Sequence, residues 1–151
     1  MFARRQIILW SLLVGLGGLT GCGELDAILG TEIAGTVYGE TYQFVSGTAE
    51  ARAAGGFVLT LADDPSFDCV STPMGKYLTI VITGVESTGS FAASGSVSFN
   101  VFEDGINLTE TATSGTVTID VLDGGRGVIE GAVDARGPES DVYGSFSVPL
   151  C

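Results

Sequence analysis

The chain has 151 residues, including 23 glycines, and its 6 basic and 18 acidic side chains give a formal net charge of −12. A protein with this negative charge repels phosphate backbones and anionic lipid headgroups, which argues against nucleic acid as a partner. With 45% apolar residues the composition is that of a folded protein, and the length suggests one domain.

The N-terminal segment has the layout of an export signal. Residues 1–6, MFARRQ, are short and basic, and the thirteen residues 7–19 are apolar and uncharged. Thirteen helical residues span about 20 Å, whereas a bilayer core of ~30 Å needs roughly 20 apolar residues. The stretch therefore fits a cleaved signal better than an uncleaved anchor, which is the alternative. Its removal takes Arg4 and Arg5 away and leaves 4 basic and 18 acidic residues, a net charge of −14.

The end of this segment, Leu19-Thr20-Gly21-Cys22, resembles the lipobox of bacterial lipoproteins: an aliphatic residue, two small residues and a cysteine. The resemblance covers four positions and implies that diacylglycerol is attached to the Cys22 sulfur and that residues 1–21 are removed. A thiolate is the nucleophile that this thioether chemistry requires. A chance cysteine in an ordinary signal is the alternative, and it would still mean export.

We therefore expect three regions: a signal peptide at 1–21, a lipidated N-terminus and tether at 22–32, and a single β-domain at 33–151. In the lipoprotein family, an Asp after the lipidated cysteine commonly favours retention in the inner membrane. Gly23 stands at that place here. The resemblance thus implies an exported, lipid-anchored protein, located in the outer membrane if the organism is Gram-negative.

The three cysteines of the chain suggest one disulfide. If Cys22 carries lipid, Cys69 and Cys151 are the remaining pair, and the exported compartment permits their oxidation. A metal site or a catalytic cysteine is a weaker interpretation, because the sequence contains no histidine.

After the tether, alternation of apolar and polar residues recurs between Gly, Asp and Ser, and no sustained helical period is found. The predicted strands are 33–38, 41–49, 56–62, 76–83, 89–93, 95–102, 106–112, 115–122, 126–135 and 142–149. Turns are expected at Asp104-Gly105 and at residues 123–127. Pro149 predicts that the last strand ends there or lies at an edge.

An internal repeat supports this interpretation. SGSVSFNVFEDG at 94–105 aligns without gaps with SGTVTIDVLDGG at 114–125. One face of each predicted strand is apolar: Val97, Phe99 and Val101 in the first, and Val117, Ile119 and Val121 in the second. Short strands without helices must bury these faces against each other. We therefore predict an all-β fold, an antiparallel meander that forms a β-sandwich or a sandwich curled toward a barrel.

Few residues could carry chemistry. The chain has no histidine and a single lysine, Lys76, so most general-base and triad designs are excluded and no catalytic residue is predicted. The weak metal candidates are Asp63, Asp64 and Asp68, whose oxygens would suit calcium. The preferred interpretation is an acidic surface loop with a turn at Asp64-Pro65. Asp123, before two glycines, is likewise assigned to a turn.

The whole chain resembles small bacterial lipoproteins with a β-domain rich in Gly, Ser and Thr and a cysteine near the end of the last strand. The first functional hypothesis is a non-enzymatic, lipid-anchored envelope domain with a binding or structural role. Its partners are the membrane, through lipid on Cys22, and an envelope protein; no nucleic acid and no cofactor besides the lipid are expected. The alternatives are a carrier of small apolar ligands in a barrel-like fold and a calcium-dependent adhesion module.

Overall fold

The structure is a computed structural model that describes residues 32–84 and 88–151. The predicted signal peptide, Cys22 and the tether up to residue 31 lie outside the described residues. The described part contains eleven β-strands and no helix. Accordingly, these two ranges hold no helix that is long and apolar enough to cross a membrane.

The strands follow one another along the whole described chain. They are β1 (Ala34–Val37), β2 (Glu40–Gln43), β3 (Ser46–Ala51), β4 (Gly56–Ala62), β5 (Gly75–Thr83), β6 (Gly89–Ala92), β7 (Val97–Glu103), β8 (Ile106–Thr111), β9 (Ser114–Asp123), β10 (Val128–Arg136) and β11 (Asp141–Pro149).

The strands form two antiparallel sheets that pack face to face as a sandwich. Sheet A has the order β2-β1-β11-β10-β9-β6, and sheet B has the order β3-β4-β5-β7-β8. The predicted all-β sandwich is confirmed, and the two sheets do not close into a barrel. The predicted meander is seen in β3–β4–β5 and in β9–β10–β11. Between β5 and β7 the chain leaves sheet B to form β6 at the edge of sheet A.

The core lies between the sheets and is built from alternate residues of each strand. Leu59 and Leu61 of β4 face it from sheet B, and Val117 and Val133 face it from sheet A; each is at most 2% exposed. Alternation therefore places one apolar face of each sheet inside and one polar face in water. The same period was visible in the sequence.

One predicted strand, 41–49, is wrong because it divides between the two sheets. Phe44 donates its N–H to the carbonyl of Ile33 at 2.8 Å, beside sheet A, whereas Val45 donates to Ala62 of sheet B at 2.9 Å. Two consecutive residues thus belong to different sheets, and the chain crosses from β2 to β3 at this point. The alternation runs on through the crossing, which hides it in the sequence.

The two copies of the internal repeat lie in opposite sheets, β7 in sheet B and β9 in sheet A. They also differ at a β-bulge opposite Glu130 and Gly131, where β9 carries Asp120 as an extra residue. The bulge reverses the side-chain alternation after it. As a result Leu122, and not the predicted Val121, packs against the core.

Candidate functional site

A groove of about 860 Å³ runs between β3 of sheet B and β11 of sheet A. The two strands meet at one end, where Ala49 forms a parallel bridge with Leu150 and accepts a hydrogen bond from the Cys151 N–H at 2.8 Å. Gly47 still lies so close to Val148 that a Cβ on it would sit 2.8 Å from Cγ1 of that valine. Beyond that contact the groove is lined by residues of both strands.

The groove exists because the partners of β11 change along its length. β1 pairs with β11 only over Asp141–Tyr143, although β11 continues to Pro149. Glu32 forms a bridge with Ser145, and the bridge at Leu150 follows at the other end. The segment of β11 from Phe146 to Pro149 therefore faces the groove along the edge that β1 does not cover.

The floor of the groove is apolar. Phe44 and Phe146 line it while remaining largely buried in the core, at 8% and 4% exposed. Val45 lines it as well and is 54% exposed, one of the large apolar side chains that the fold leaves in water. The crossing between β2 and β3 thus brings two adjacent apolar residues, Phe44 and Val45, to the floor of the groove.

The rim of the groove is acidic. Among the described residues that line it, Glu32, Asp120 and Glu130 carry carboxylates, and none is lysine or arginine. The Ser147 hydroxyl donates to Oε1 of Glu130 at 3.3 Å. The nearby guanidinium of Arg126 is paired with Asp123, with Nε 2.6 Å from Oδ2. Such a groove suits a positively charged ligand with apolar parts, because opposite charges attract across an interface and like charges repel.

Sequence reasoning did not find this groove. Its lining residues come from five separate parts of the chain, and Asp120 reaches it at a bulge. The one available signal was Asp120 itself, which stands where the other copy of the repeat has Asn100. In the structure Asn100 is buried and accepts a hydrogen bond from Thr109, whereas Asp120 is exposed.

The predicted disulfide is confirmed: Cys69 and Cys151 are bonded, with their Cα atoms 5.6 Å apart. The bond joins the end of the chain to the loop between β4 and β5. Because Cys151 also donates to Ala49, it is fixed by a covalent bond and by a hydrogen bond where β3 and the chain after β11 meet.

The acidic candidates Asp63, Asp64 and Asp68 lie in that same loop, but they make separate interactions. Asp63 accepts the Lys76 N–H at 3.0 Å, and its Oδ2 lies 3.6 Å from the Lys76 Nζ. Asp64 accepts both the N–H and the hydroxyl of Ser66, at 2.8 and 2.6 Å. Within residues 32–84 and 88–151, no group of three or more Cys, Asp or Glu side chains is arranged to hold a metal ion.

The hydrogen bonds of these loops favour ionised carboxylates. The hydroxyl and N–H of Ser66 lower the pKa of Asp64, and the Val70 N–H followed by the Ser71 hydroxyl lowers the pKa of Asp68. The side-chain hydrogen bond from Arg126 lowers the pKa of Asp123, whose Oδ1 also accepts two backbone N–H groups of the turn. These carboxylates stabilise local loop geometry.

Lys76 is held between two carboxylates. Its Nζ lies 3.3 Å from Oε2 of Glu40 and 3.6 Å from Oδ2 of Asp63, and its side chain is 20% exposed. Lys76 of β5 is thus joined by ion pairs to Glu40 of β2 and to Asp63, the residue that follows β4.

The tyrosines occupy different environments. Tyr42 is buried in the core, whereas Tyr143 is 57% exposed on the outer face of sheet A. Desolvation, with smaller effects from Glu110 and Glu139, raises the pKa of Tyr38.

Comparisons of the chain with protein-family models, with curated protein sequences and with solved structures find no match.

Proposed function

We propose that the protein is a lipid-anchored, non-enzymatic β-domain of the cell envelope that binds a partner or serves a structural role. The observation that carries the proposal is the Cys69–Cys151 disulfide. It accounts for two of the three cysteines and leaves Cys22, at the end of the lipobox-like Leu19-Thr20-Gly21-Cys22, as the remaining thiol.

The disulfide also supports export. Such bonds persist in oxidising compartments, including the periplasm and the cell surface, and are rare in the cytosol. Together with the basic and apolar segments at 1–6 and 7–19, it makes the envelope the location that best fits the chain.

Anchoring at Cys22 would keep the groove near the membrane. Nine residues lie between Cys22 and Glu32, which lines the groove, and the ten residue steps from one to the other reach at most about 35 Å. Two or three acyl chains would hold the domain firmly, since each buried methylene contributes ~0.8 kcal/mol. A partner in the groove would therefore be a molecule of the envelope.

A non-enzymatic role is supported by the ion pairs and hydrogen bonds that already engage the lysine and several of the carboxylates. The one lysine is ion-paired, and Asp64, Asp68 and Asp123 are engaged in hydrogen bonds of their own loops. The acidic groove has the features of a binding surface: an apolar floor, a charged rim and strand edges.

The two alternative functions receive no specific support. An apolar-ligand carrier would need an enclosed interior, and here the inner faces of the two sheets pack against each other. A calcium-dependent adhesion module would need Asp63, Asp64 and Asp68 to converge, and their contacts point to separate partners.

The test is the intact mass of the protein purified from its native envelope, before and after reduction. We expect a chain that begins at Cys22 with added acyl mass, and a gain of two hydrogens on reduction. The Cys22→Ser variant should lose the acyl mass, whereas the matched variant with Cys69→Ser and Cys151→Ser should keep it. An acyl-free chain that begins at Met1 or Gly23 would contradict the proposal.

A further inference from the structure

We propose that the groove between β3 and β11 binds an extended, positively charged segment of another protein, in which basic and apolar residues alternate. The inference rests on the proposed role of the domain in binding a partner and names the chemistry of that partner. It is carried by the strand edges, the apolar floor and the acidic rim.

The strand edges favour an extended ligand. The N–H of Leu150 donates to the carbonyl of Gly127, on the β10 side of β11. Successive residues of a strand direct their backbone N–H and C=O groups to opposite edges, so those of Ser147 are directed away from β10, towards β3. On β3, Ala49 accepts from Cys151 across that gap, and Gly47, two residues earlier, presents its backbone on the same edge. An extended segment can add its own backbone hydrogen bonds to edges of this kind.

The two surfaces of the groove favour an alternating sequence. Successive side chains of an extended chain point in opposite directions. One set would meet the apolar floor of Phe44, Val45 and Phe146, and the other would meet the carboxylates of the rim. A segment with apolar residues on one side and lysine or arginine on the other matches both surfaces.

The charge of the chain selects against the opposite kind of ligand. The rim carries Glu32, Asp120 and Glu130, and the chain as a whole has a net charge of −12. An acidic segment would be repelled both at long range and at the groove, whereas a basic one would be attracted. The volume of about 860 Å³ lies in the range of established ligand sites, roughly 300–1,000 Å³, which fits a short segment.

The test uses the full chain in detergent with its disulfide intact. The probe is a short synthetic peptide of alternating valine and lysine, carrying a fluorophore and a central photo-crosslinker. We expect saturable binding by fluorescence anisotropy, and crosslinks at Val45–Gly47 and Phe146–Pro149. A peptide of the same composition with the lysines and valines in separate blocks cannot place valines on the floor and lysines at the rim along its whole length. It should therefore bind at least about tenfold more weakly, a difference of 1.4 kcal/mol.

Variants of the rim provide the second measurement. The double variant Asp120→Asn, Glu130→Gln should weaken binding of the alternating peptide about tenfold, because it neutralises two of the three carboxylates of the rim. The matched control is Glu50→Gln, which neutralises an exposed carboxylate on β3 that does not line the groove. It should leave the affinity unchanged.

Several results would overturn the inference. Three results would show that the peptide is attracted to the negative charge of the domain in general and does not bind in the groove. They are equal binding of the two peptides, an equal loss of affinity in Glu50→Gln, and crosslinks spread over the acidic surface. Absence of binding would overturn it as well, whether the groove is empty or filled by residues that precede Glu32. These outcomes are independent of the anchor: a lipidated chain that binds no peptide leaves the proposed location standing, and a peptide-binding chain without lipid leaves the groove site standing.

Discussion

The hydroxyl of Tyr42 in β2 donates a hydrogen bond to the carbonyl of Leu61 in β4, with 2.9 Å between the two oxygens. Tyr42 belongs to sheet A and Leu61 to sheet B, so the bond crosses the sandwich. Tyr42 is only 1% exposed, and burial, assisted by the charge of Asp63, raises the pKa of its hydroxyl. The group therefore stays protonated and acts as a donor that ties the edge strand β2 to the opposite sheet.

We expect Tyr42→Phe to lower the free energy of unfolding by about 1–2 kcal/mol, because it removes a buried hydrogen bond without opening a large cavity. The measurement is urea unfolding followed by circular dichroism. The matched control is Tyr143→Phe, which removes a hydroxyl from a side chain that is 57% exposed and should change stability little. Equal losses in the two variants would contradict a specific role for the Tyr42 bond.

Gly115 at the start of β9 should not tolerate alanine. Its φ is +115°, and a Cβ there would overlap the carbonyl oxygen of Asp134 in β10. Gly115→Ala should therefore cost about 2–3 kcal/mol through backbone strain and overpacking. Gly124→Ala serves as the control, because its Cβ would enter open space. Thermal unfolding of both variants checks the prediction, and similar melting temperatures would contradict it.

Reduction of Cys69–Cys151 should destabilise the domain without changing its fold. The bond closes a loop with a sequence separation of 82, for which chain entropy gives at most about 4.5 kcal/mol. Unfolding of the oxidised protein, the reduced protein and the Cys69→Ser, Cys151→Ser variant measures the difference. We expect the reduced protein and the variant to unfold at similar, lower urea concentrations; unchanged midpoints would show that the bond does not constrain the unfolded chain.

Stability should fall in acid through the loop carboxylates. Hydrogen bonds lower the pKa of Asp64, Asp68 and Asp123 below the ordinary value of 3.8. A carboxyl with a lower pKa in the folded state contributes stability above its unfolded pKa, and this stability is lost as pH falls through the folded value. Melting temperature should thus drop below about pH 4.

The matched test of this pH dependence uses Asp68→Asn and Asp104→Asn. The first variant removes a carboxylate that accepts backbone N–H groups of Val70 and Ser71, so its melting temperature should be lower at neutral pH and change less in acid. Asp104→Asn, which makes the same chemical change in the β7–β8 turn, is the control variant. An Asp68→Asn profile that is parallel to the parent profile would contradict the assignment.

Strand β4 and the β2–β3 region show how far the sequence alone predicts the strands. Residues 56–62 were predicted as a strand and match β4, because its alternation is bounded by turns on both sides. Residues 41–49 were predicted as one strand because the alternating period continues through the crossing at Phe44 and Val45. In the structure they belong to two strands, β2 and β3. Local patterns reveal which residues are extended, but they contain no information on which sheet each residue joins.

The groove shows the same limit for the candidate site. Glu32 is far in the sequence from Asp120 and Glu130, and the three line one groove through the pairing of β9, β10 and β11 and the bridge of Glu32 with Ser145. The bulge at Asp120 adds a change of side-chain direction that the gapless repeat does not indicate. By contrast, the weak metal candidates Asp63, Asp64 and Asp68 were found because they are close in the sequence, and this closeness did not bring their oxygens together.

By itself the sequence determined the fold class and the pairing of Cys69 with Cys151. Alternation at period two is a local consequence of strand geometry, and if Cys22 carries lipid the two remaining cysteines allow one bond. Only the tertiary structure decided the order of the strands, the splitting of the repeat between two sheets and the acidic groove between β3 and β11. These features depend on contacts between residues distant along the chain, whose energies come from packing and edge pairing and leave no periodic trace in the sequence.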